Sequence, residues 1–256
     1  MLRFYLLIIF SIHLILYYIF MSNYYCKHEE KFDELSCYKL ARRMISDIKR
    51  RANIRTVHYG SENLPKDGGY IMYANHQGKY DALGIMDSHE KPCSVIMDAE
   101  RSRMVLANEV MNLVRGVRLE RHDFKQQVRV LDKMSEDTRQ GKRYIYFPEG
   151  GYEHNGNKLQ EFRPGAFKVA MRANCPIVPV AIYDSHIPFD FNSLRRVTTQ
   201  VYFMDPIYPE DYADMSTQQV SMMVKELIEN KLDELEENRR KNRYNMWFKE
   251  YKSLEA

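Results

Sequence analysis

Residues 176–182 read PIVPVAI, a run with no charged or amide side chain. Successive side chains of a strand point to opposite faces, so a run that is apolar throughout has to be covered on both faces. A sheet open to water on one side is thereby excluded, and layers of helix are required. The chain supplies them. Short apolar runs at GYIMYAN (69–75), SVIMD (94–98), VRLE (117–120), RYIYF (143–147) and TQVYFMD (199–205) are further strand candidates. Helices are expected between them. One starts at about Asp81, after a turn at Gln77–Gly78. A second is capped by Asp123 with Gln126 three residues on and is stopped by Gly141. A third follows Pro164 and runs to about Asn174. A last, highly charged helix begins at Ser216, with Gln219 in capping-box position, and runs to about Arg243. Its heptads are poor, so it reads as a surface helix closing the fold and not as a coiled-coil partner. The alternation implies an α/β sheet with helices packed on it.

The amino terminus departs from this pattern. MLRFYLLIIFSIHLILYYIF is broken only by Arg3, Ser11 and His13. About twenty apolar residues can just cross a bilayer core. A secretory signal would need a small-residue cleavage site, and this run ends in YYIFMSN. Residues 1–22 are therefore expected to be an uncleaved membrane anchor, either spanning or lying in the interface. Arg3 is alone on one flank, while Lys27, Lys31 and Lys39 follow on the other. That asymmetry places the rest of the chain on the cytoplasmic side of the cell membrane. Residues 23–55 read as a basic amphipathic helical segment, with Leu40, Met44 and Ile48 at spacing four. Within residues 39–51, Lys39, Arg42, Arg43, Lys49, Arg50 and Arg51 are opposed by Asp47 alone; they form either a solvated face or a contact with anionic lipid headgroups. The remaining divisions are a core over 56–212 and the charged helix over 213–256.

A formal net charge of +3 makes no case for nucleic acid. Cys26, Cys37, Cys93 and Cys175 form no CxxC pair and no zinc spacing, which suits reduced thiols in the cytosol.

Two His-x4-Asp pairs occur. His28 and Asp33 lie where the apolar segment meets a helix; on a helix that spacing would point the two side chains to different faces. His76 and Asp81 flank a strand-to-helix elbow that Gly78 allows. There the carboxylate can fold back under the imidazole, fix its tautomer and leave the other ring nitrogen free as a base. No serine or cysteine with a nucleophile's setting accompanies them, so the chemistry indicated is general-base activation of a substrate hydroxyl. A second feature is the end of the 143–147 strand at Pro148, Glu149, Gly150 and Gly151. A turn needs a glycine but has no need of Glu149. His154 beside Glu153, His122 beside Arg121, and Trp247 with Tyr251 read as loop, exposed and packing residues.

NHQGKYD (75–81) resembles the NHx4D motif of the glycerolipid acyltransferases, and FPEG (147–150) is similar to their third motif. VRLER (117–121) looks like the second and CPIVPVAI (175–182) like the fourth, in the family's order. The chain thus resembles the 1-acylglycerol-3-phosphate acyltransferases. The resemblance implies a mixed, largely parallel sheet flanked by helices, with an N-terminal membrane-anchoring helix. It implies His76 as base, Asp81 as its orienting partner and Arg121 on the acceptor phosphate. Asn75, Glu149, Gly150, Gly151 and Arg163 complete the substrate site, with the glycine N–H groups approaching an anionic ligand. The donor would be an acyl carrier protein or CoA thioester and the acceptor a lysophospholipid in an anionic membrane, with no metal or cofactor. Another lysolipid acceptor, or a membrane-anchored lipid binder without turnover, are the alternatives; a pure binder has no use for a base. The chain departs from the family at Gly78, where Ser is usual, and at Gly151, Tyr152 and Glu153, where Thr, Arg and Ser are usual. Tyr152 thus stands where an arginine often helps bind phosphate, and Lys158 or Arg163 could compensate.

Overall fold

The computed structural model describes residues 6, 9–120, 122–190 and 194–254, from 243 onward as backbone alone. Helices α1 (Ile12–Lys27) and α2 (Glu34–Arg51) lead into β1 (Ile54–Tyr59). Then come β2 (Tyr70–Ala74), α3 (Asp81–Ser88), β3 (Ser94–Asp98), α4 (Ala107–Leu113), β4 (Val117–Leu119), α5 (Phe124–Arg139) and β5 (Arg143–Tyr146). The chain finishes through α6 (Lys168–Ala173), β6 (Ile177–Tyr183), α7 (Ile187–Asp190), β7 (Val197–Phe203), α8 (Pro209–Tyr212) and α9 (Thr217–Leu254). The strands form one seven-stranded sheet in the order β1-β7-β6-β2-β5-β3-β4. Every pairing is parallel except β6 with β7, which is antiparallel. The mixed, largely parallel sheet is the one the family resemblance implies; the order of its strands was not expected.

Period two sorts the core into two layers. Tyr70, Met72 and Ala74 of β2, with Val178, Val180 and Ile182 of β6, pack with α2, α3 and α4 on one face. Ile71 and Tyr73, with Ile177, Ala181 and Tyr183, face α5, α6 and α9 on the other. All seven residues of β6 are buried, as a doubly covered strand requires. β1 is the strand the patterning does not announce. Its IRTVHY buries only Ile54 fully, because β1 lies at the sheet edge. It also runs across the expected division at 55/56, and α2 belongs to the same body as the sheet. Cys37, Tyr38, Leu40, Ala41, Met44 and Ile45 of α2 all enter the core.

The expected caps form. Asp123 Oδ1 accepts from Gln126 N at 2.8 Å, and Ser216 Oγ accepts from Gln219 N at 3.3 Å while Gln219 Oε1 accepts from Ser216 N at 2.8 Å. The last helix runs further than expected, to Leu254.

Among the described residues no helix is long and apolar enough to cross a membrane. Helix α1 is two-sided. Ile15, Tyr18 and Ser22 are buried against the body, with Tyr18 donating to Asp47 Oδ2 at 2.6 Å. Ile12, Leu16, Phe20 and Tyr24, at spacing four, stay exposed. The basic set on α2 is divided too. Arg42 donates to Asp87 O and Lys49 pairs with the Asp87 carboxylate, whereas Lys39, Arg43, Arg50 and Arg51 are exposed.

Helix α9 holds the second layer through Val220, Val224, Ile228 and Leu232. Ile228 is fully buried and Met222, on the outer face, is 60% exposed. Ile228→Ala is expected to cost about 2–5 kcal/mol by opening a cavity under the sheet. Met222→Ala should stay within about 0.5 kcal/mol. Urea unfolding of the two variants checks the difference.

Candidate active site

The site lies beyond the carboxyl ends of β2, β5 and β6, neighbours in the sheet, where crevices of parallel sheets form. β2 ends at Ala74, and the next residues make the elbow into α3. Asp81 is fully buried in the first turn of α3, where a carboxylate is favoured by the helix dipole. Its Oδ2 accepts from His76 Nδ1 at 2.6 Å, from Gln77 N at 2.5 Å and from Gly78 N at 2.9 Å. One oxygen therefore satisfies the elbow's backbone and holds the ring. With Nδ1–H directed at Asp81, Nε2 is the nitrogen left for chemistry. The His76 side chain is 19% exposed, so it can be reached.

The other His-x4-Asp pair does not meet. His28 Nδ1 lies 2.8 Å from Tyr24 O, and Asp33 caps α2 by accepting from Ser36 N. His28 follows the end of one helix and Asp33 precedes the start of the next.

Two aromatic rings enclose the imidazole. Phe147 stacks on it at 4.4 Å between centroids, and Tyr152 meets it edge-on at 4.8 Å. Arg101, from the turn after β3, lies 5.6 Å over the Tyr152 ring.

Glu149 is placed by the loop after β5 to reach back over β2. Its Oε1 accepts from His76 N at 3.0 Å and its Oε2 from Gln160 Nε2 at 2.6 Å. Burial raises the Glu149 pKa to about 7; the hydrogen bond from His76 N, the His76 charge and the hydrogen bond from Gln160 oppose the rise, while the Asp81 charge adds to it. This Glu ties the elbow to the loop, which is why the turn carries a carboxylate.

Gly150 takes φ +75, and the Arg163 guanidinium fills the space where a Cβ would stand, with Cζ 2.6 Å from that position. The positive φ is what favours glycine here, since the exposed Arg163 side chain can give way. The Gly150 N–H donates to Phe147 O at 3.1 Å, so it closes the turn and does not approach a ligand as expected from sequence. Gly151 has open space at its Cβ position, and its carbonyl accepts from Gln160 Nε2 at 3.0 Å. Arg163 is exposed beside the loop.

Asn75, expected among the substrate-binding residues, is buried. Its Nδ2 donates to Ile182 O at 3.0 Å and its Oδ1 accepts from Ile182 N at 2.7 Å. Both ends of the amide are committed to β6, so it stitches the strand ends together under His76. Arg121, the expected phosphate ligand, lies outside the described residues. Gln77, Asn157, Gln160 and Asp184 surround the elbow and were not legible beforehand. Asn157 and Gln160 sit in a polar loop with no periodicity, and their only signal was proximity to FPEG.

The Glu149 carboxyl should leave a mark on stability. The folded protein keeps this proton up to about pH 7, whereas an ordinary Glu releases it near 4.5. The contribution is therefore fully present below 4.5 and is lost as pH rises through 7. Melting temperatures of the wild type and Glu149→Gln, compared across that window, should diverge with rising pH and then stay parallel. A difference independent of pH would mean that Glu149 titrates as an ordinary exposed carboxylate.

A family model described as Acyltransferase matches residues 55–183. The chain is 30% identical over 176 residues to the human 1-acyl-sn-glycerol-3-phosphate acyltransferase alpha, covering 67% of this chain and 62% of that protein. It is 25% identical over 151 residues to the 1-acyl-sn-glycerol-3-phosphate acyltransferase of Borreliella burgdorferi, covering 59% of this chain and 60% of the other. The matches thus span about three-fifths of those relatives' length. The crystal structure of the 1-acyl-sn-glycerophosphate (LPA) acyltransferase from Thermotoga maritima superposes with a TM-score of 0.68 at 22% identity, covering 89% of this chain and 97% of that one. It shares the fold.

Proposed function

The chain belongs to the acyltransferase family, and from that premise we propose that it moves a fatty acyl group from a thioester to the free hydroxyl of 1-acylglycerol 3-phosphate, giving phosphatidate. The observation that carries this reading is the His76 Nδ1–Asp81 Oδ2 bond of 2.6 Å at a reachable strand end. His76 Nε2 takes the acceptor hydroxyl proton as the oxygen attacks the thioester carbonyl. Asp81 stabilises the imidazolium that forms. The tetrahedral adduct collapses with cleavage of the carbon–sulfur bond, and the imidazolium returns its proton to the departing thiolate. The acyl group never resides on the protein. The donor is acyl-ACP or acyl-CoA.

Arg121 and Arg163 supply the positive charge for the acceptor phosphate, standing in for the arginine that Tyr152 replaces. The exposed Arg163 guanidinium, laid against Gly150 beside the Glu149 loop, supports its part in this. Guanidinium–phosphate pairs are strong and often bidentate.

The outer stripe of α1, Ile12, Leu16, Phe20 and Tyr24, supports an interfacial mode of membrane attachment. A helix with its inner side packed on the body can embed its outer side among acyl chains while lying flat. The exposed Lys39, Arg43, Arg50 and Arg51 on α2 suit anionic headgroups, with the catalytic domain on the cytoplasmic side.

Thioester release measured with both donors against a panel of lysolipids tests the reading. His76→Ala should lower turnover by about 10²–10⁴-fold, while His28→Ala leaves it unchanged. Normal turnover in a folded His76→Ala variant would sink the mechanism. Arg163→Ala should raise the KM for lysophosphatidate and leave that of an acceptor lacking the phosphomonoester nearly unaltered; equal losses on both would remove its role in reading phosphate. Replacing Leu16 and Phe20 by Glu should release the protein from anionic vesicles in sedimentation, and unchanged attachment would place the anchoring surface elsewhere.

A further inference from the structure

Helix α9 reaches the site through one guanidinium. Arg239 donates from Nη2 to Asp184 Oδ2 and lies 4.5 Å over the Tyr183 ring. The Tyr183 hydroxyl donates to Glu236 Oε2 at 2.6 Å, which fixes the same turn of α9 against the end of β6. Asp184 follows β6 with φ +61, a left-handed conformation that most residues with a side chain avoid and Asp tolerates better than most. Glycine would be the least strained occupant of that backbone. The aspartate instead keeps two carboxylate oxygens there, and both are used.

Asp184 Oδ1 accepts from Asn157 Nδ2 at 3.0 Å, and Asn157 Oδ1 accepts from Asp184 N at 2.8 Å. The same Asn157 oxygen accepts from Gln77 Nε2 at 2.9 Å, and Gln77 Oε1 accepts from Ser185 N at 2.9 Å. Asn157 lies in the loop that carries Glu149. Gln77 follows His76, and its backbone N–H is one of the donors to Asp81. The corner after β6 is thus where the elbow, the Glu149 loop and α9 are joined. The buried anchors of α9 on the sheet, Val220, Val224, Ile228 and Leu232, all precede Glu236, so the helix does not depend on Arg239 for its packing.

We propose that Arg239 is a positioning residue for the transfer: through Asp184 it holds Asn157 and Gln77, and so sets the spacing between the His76 elbow and the Glu149 loop. A charge-assisted bond suits that task, since it is directional and stronger than a neutral one. The role rests on the acyl-transfer reading above and adds to it a residue remote from the reacting atoms. Small misplacements of catalytic groups are costly, so loosening this corner should reduce kcat more than thioester binding.

The test uses the full chain and the variants Arg239→Met, Arg239→Lys and Asp184→Gly. Arg239→Met should lower kcat on the order of tenfold to a hundredfold with the thioester KM nearly unchanged. Arg239→Lys, which can still reach one carboxylate oxygen, should recover most of the loss. Asp184→Gly should match Arg239→Met although it relieves the backbone. Without substrate, amide exchange in Arg239→Met should quicken across residues 148–163 and stay slow in β2, β6 and residues 217–232 of α9. Wild-type kcat in Arg239→Met would overturn the role. So would a loss that Arg239→Lys does not recover and that comes with faster exchange throughout the sheet, since that is general destabilisation. Wild-type protein inactive on every acceptor would overturn the acyl-transfer reading and this role with it, whereas equal activity of wild type and Arg239→Met would overturn this role alone.

Discussion

The buried carboxylate of Asp81 is the constraint on which the site depends. Its Oδ2 accepts from the His76 ring and from the backbone N–H groups of Gln77 and Gly78. Those two N–H groups belong to an elbow that pairs with no strand, and a buried donor left unpaired costs about 1–3 kcal/mol. The group that orients the imidazole is therefore also the group that lets the chain turn there. Local folding and the orientation of the His76 ring rest on one oxygen, and its place in the first turn of α3 makes that position favourable for a carboxylate.

The sheet does the next part of the work. Because β5, β2 and β6 are parallel neighbours, their carboxyl ends open on the same side. The loop after β5 can then reach over the end of β2, and Glu149 takes the His76 N–H. Asn75 fastens the end of β2 to Ile182 of β6. Phe147 and Tyr152 close on the imidazole from two directions, leaving it partly accessible between apolar walls. An imidazole in such a place is shielded from bulk water and still open to a small group, as the proposed role of a base requires.

Helix α1 shows how a nearly uniform apolar sequence is divided by its neighbours. Tyr18 and Ser22 turn inward, where Tyr18 finds Asp47 and Ser22 finds the carbonyl of Glu109. The stripe from Ile12 to Tyr24 is left outside. Composition alone described a segment able to span or to lie flat. Packing against α2 and α4 gives it one inner side and one outer side.

Much of this was legible in advance because it is local. Short apolar runs marked β2, β3, β4, β5, β6 and β7, and cap chemistry marked the starts of α5 and α9 at Asp123 and Ser216. The His76–Asp81 spacing across a glycine-bearing elbow was enough to separate that pair from His28 and Asp33. Each of these signals involves residues within a few positions of one another, where backbone geometry fixes the contact. The tertiary structure alone decided what lies across the site. It brought Glu149 to the His76 backbone, committed both ends of Asn75 to Ile182 and laid Arg239 on Asp184. Those partners are far apart in the chain and meet only because the strands and the helix carrying them were packed together about one sheet. Strand order is a property of the whole sheet, and no local pattern of side chains encodes it.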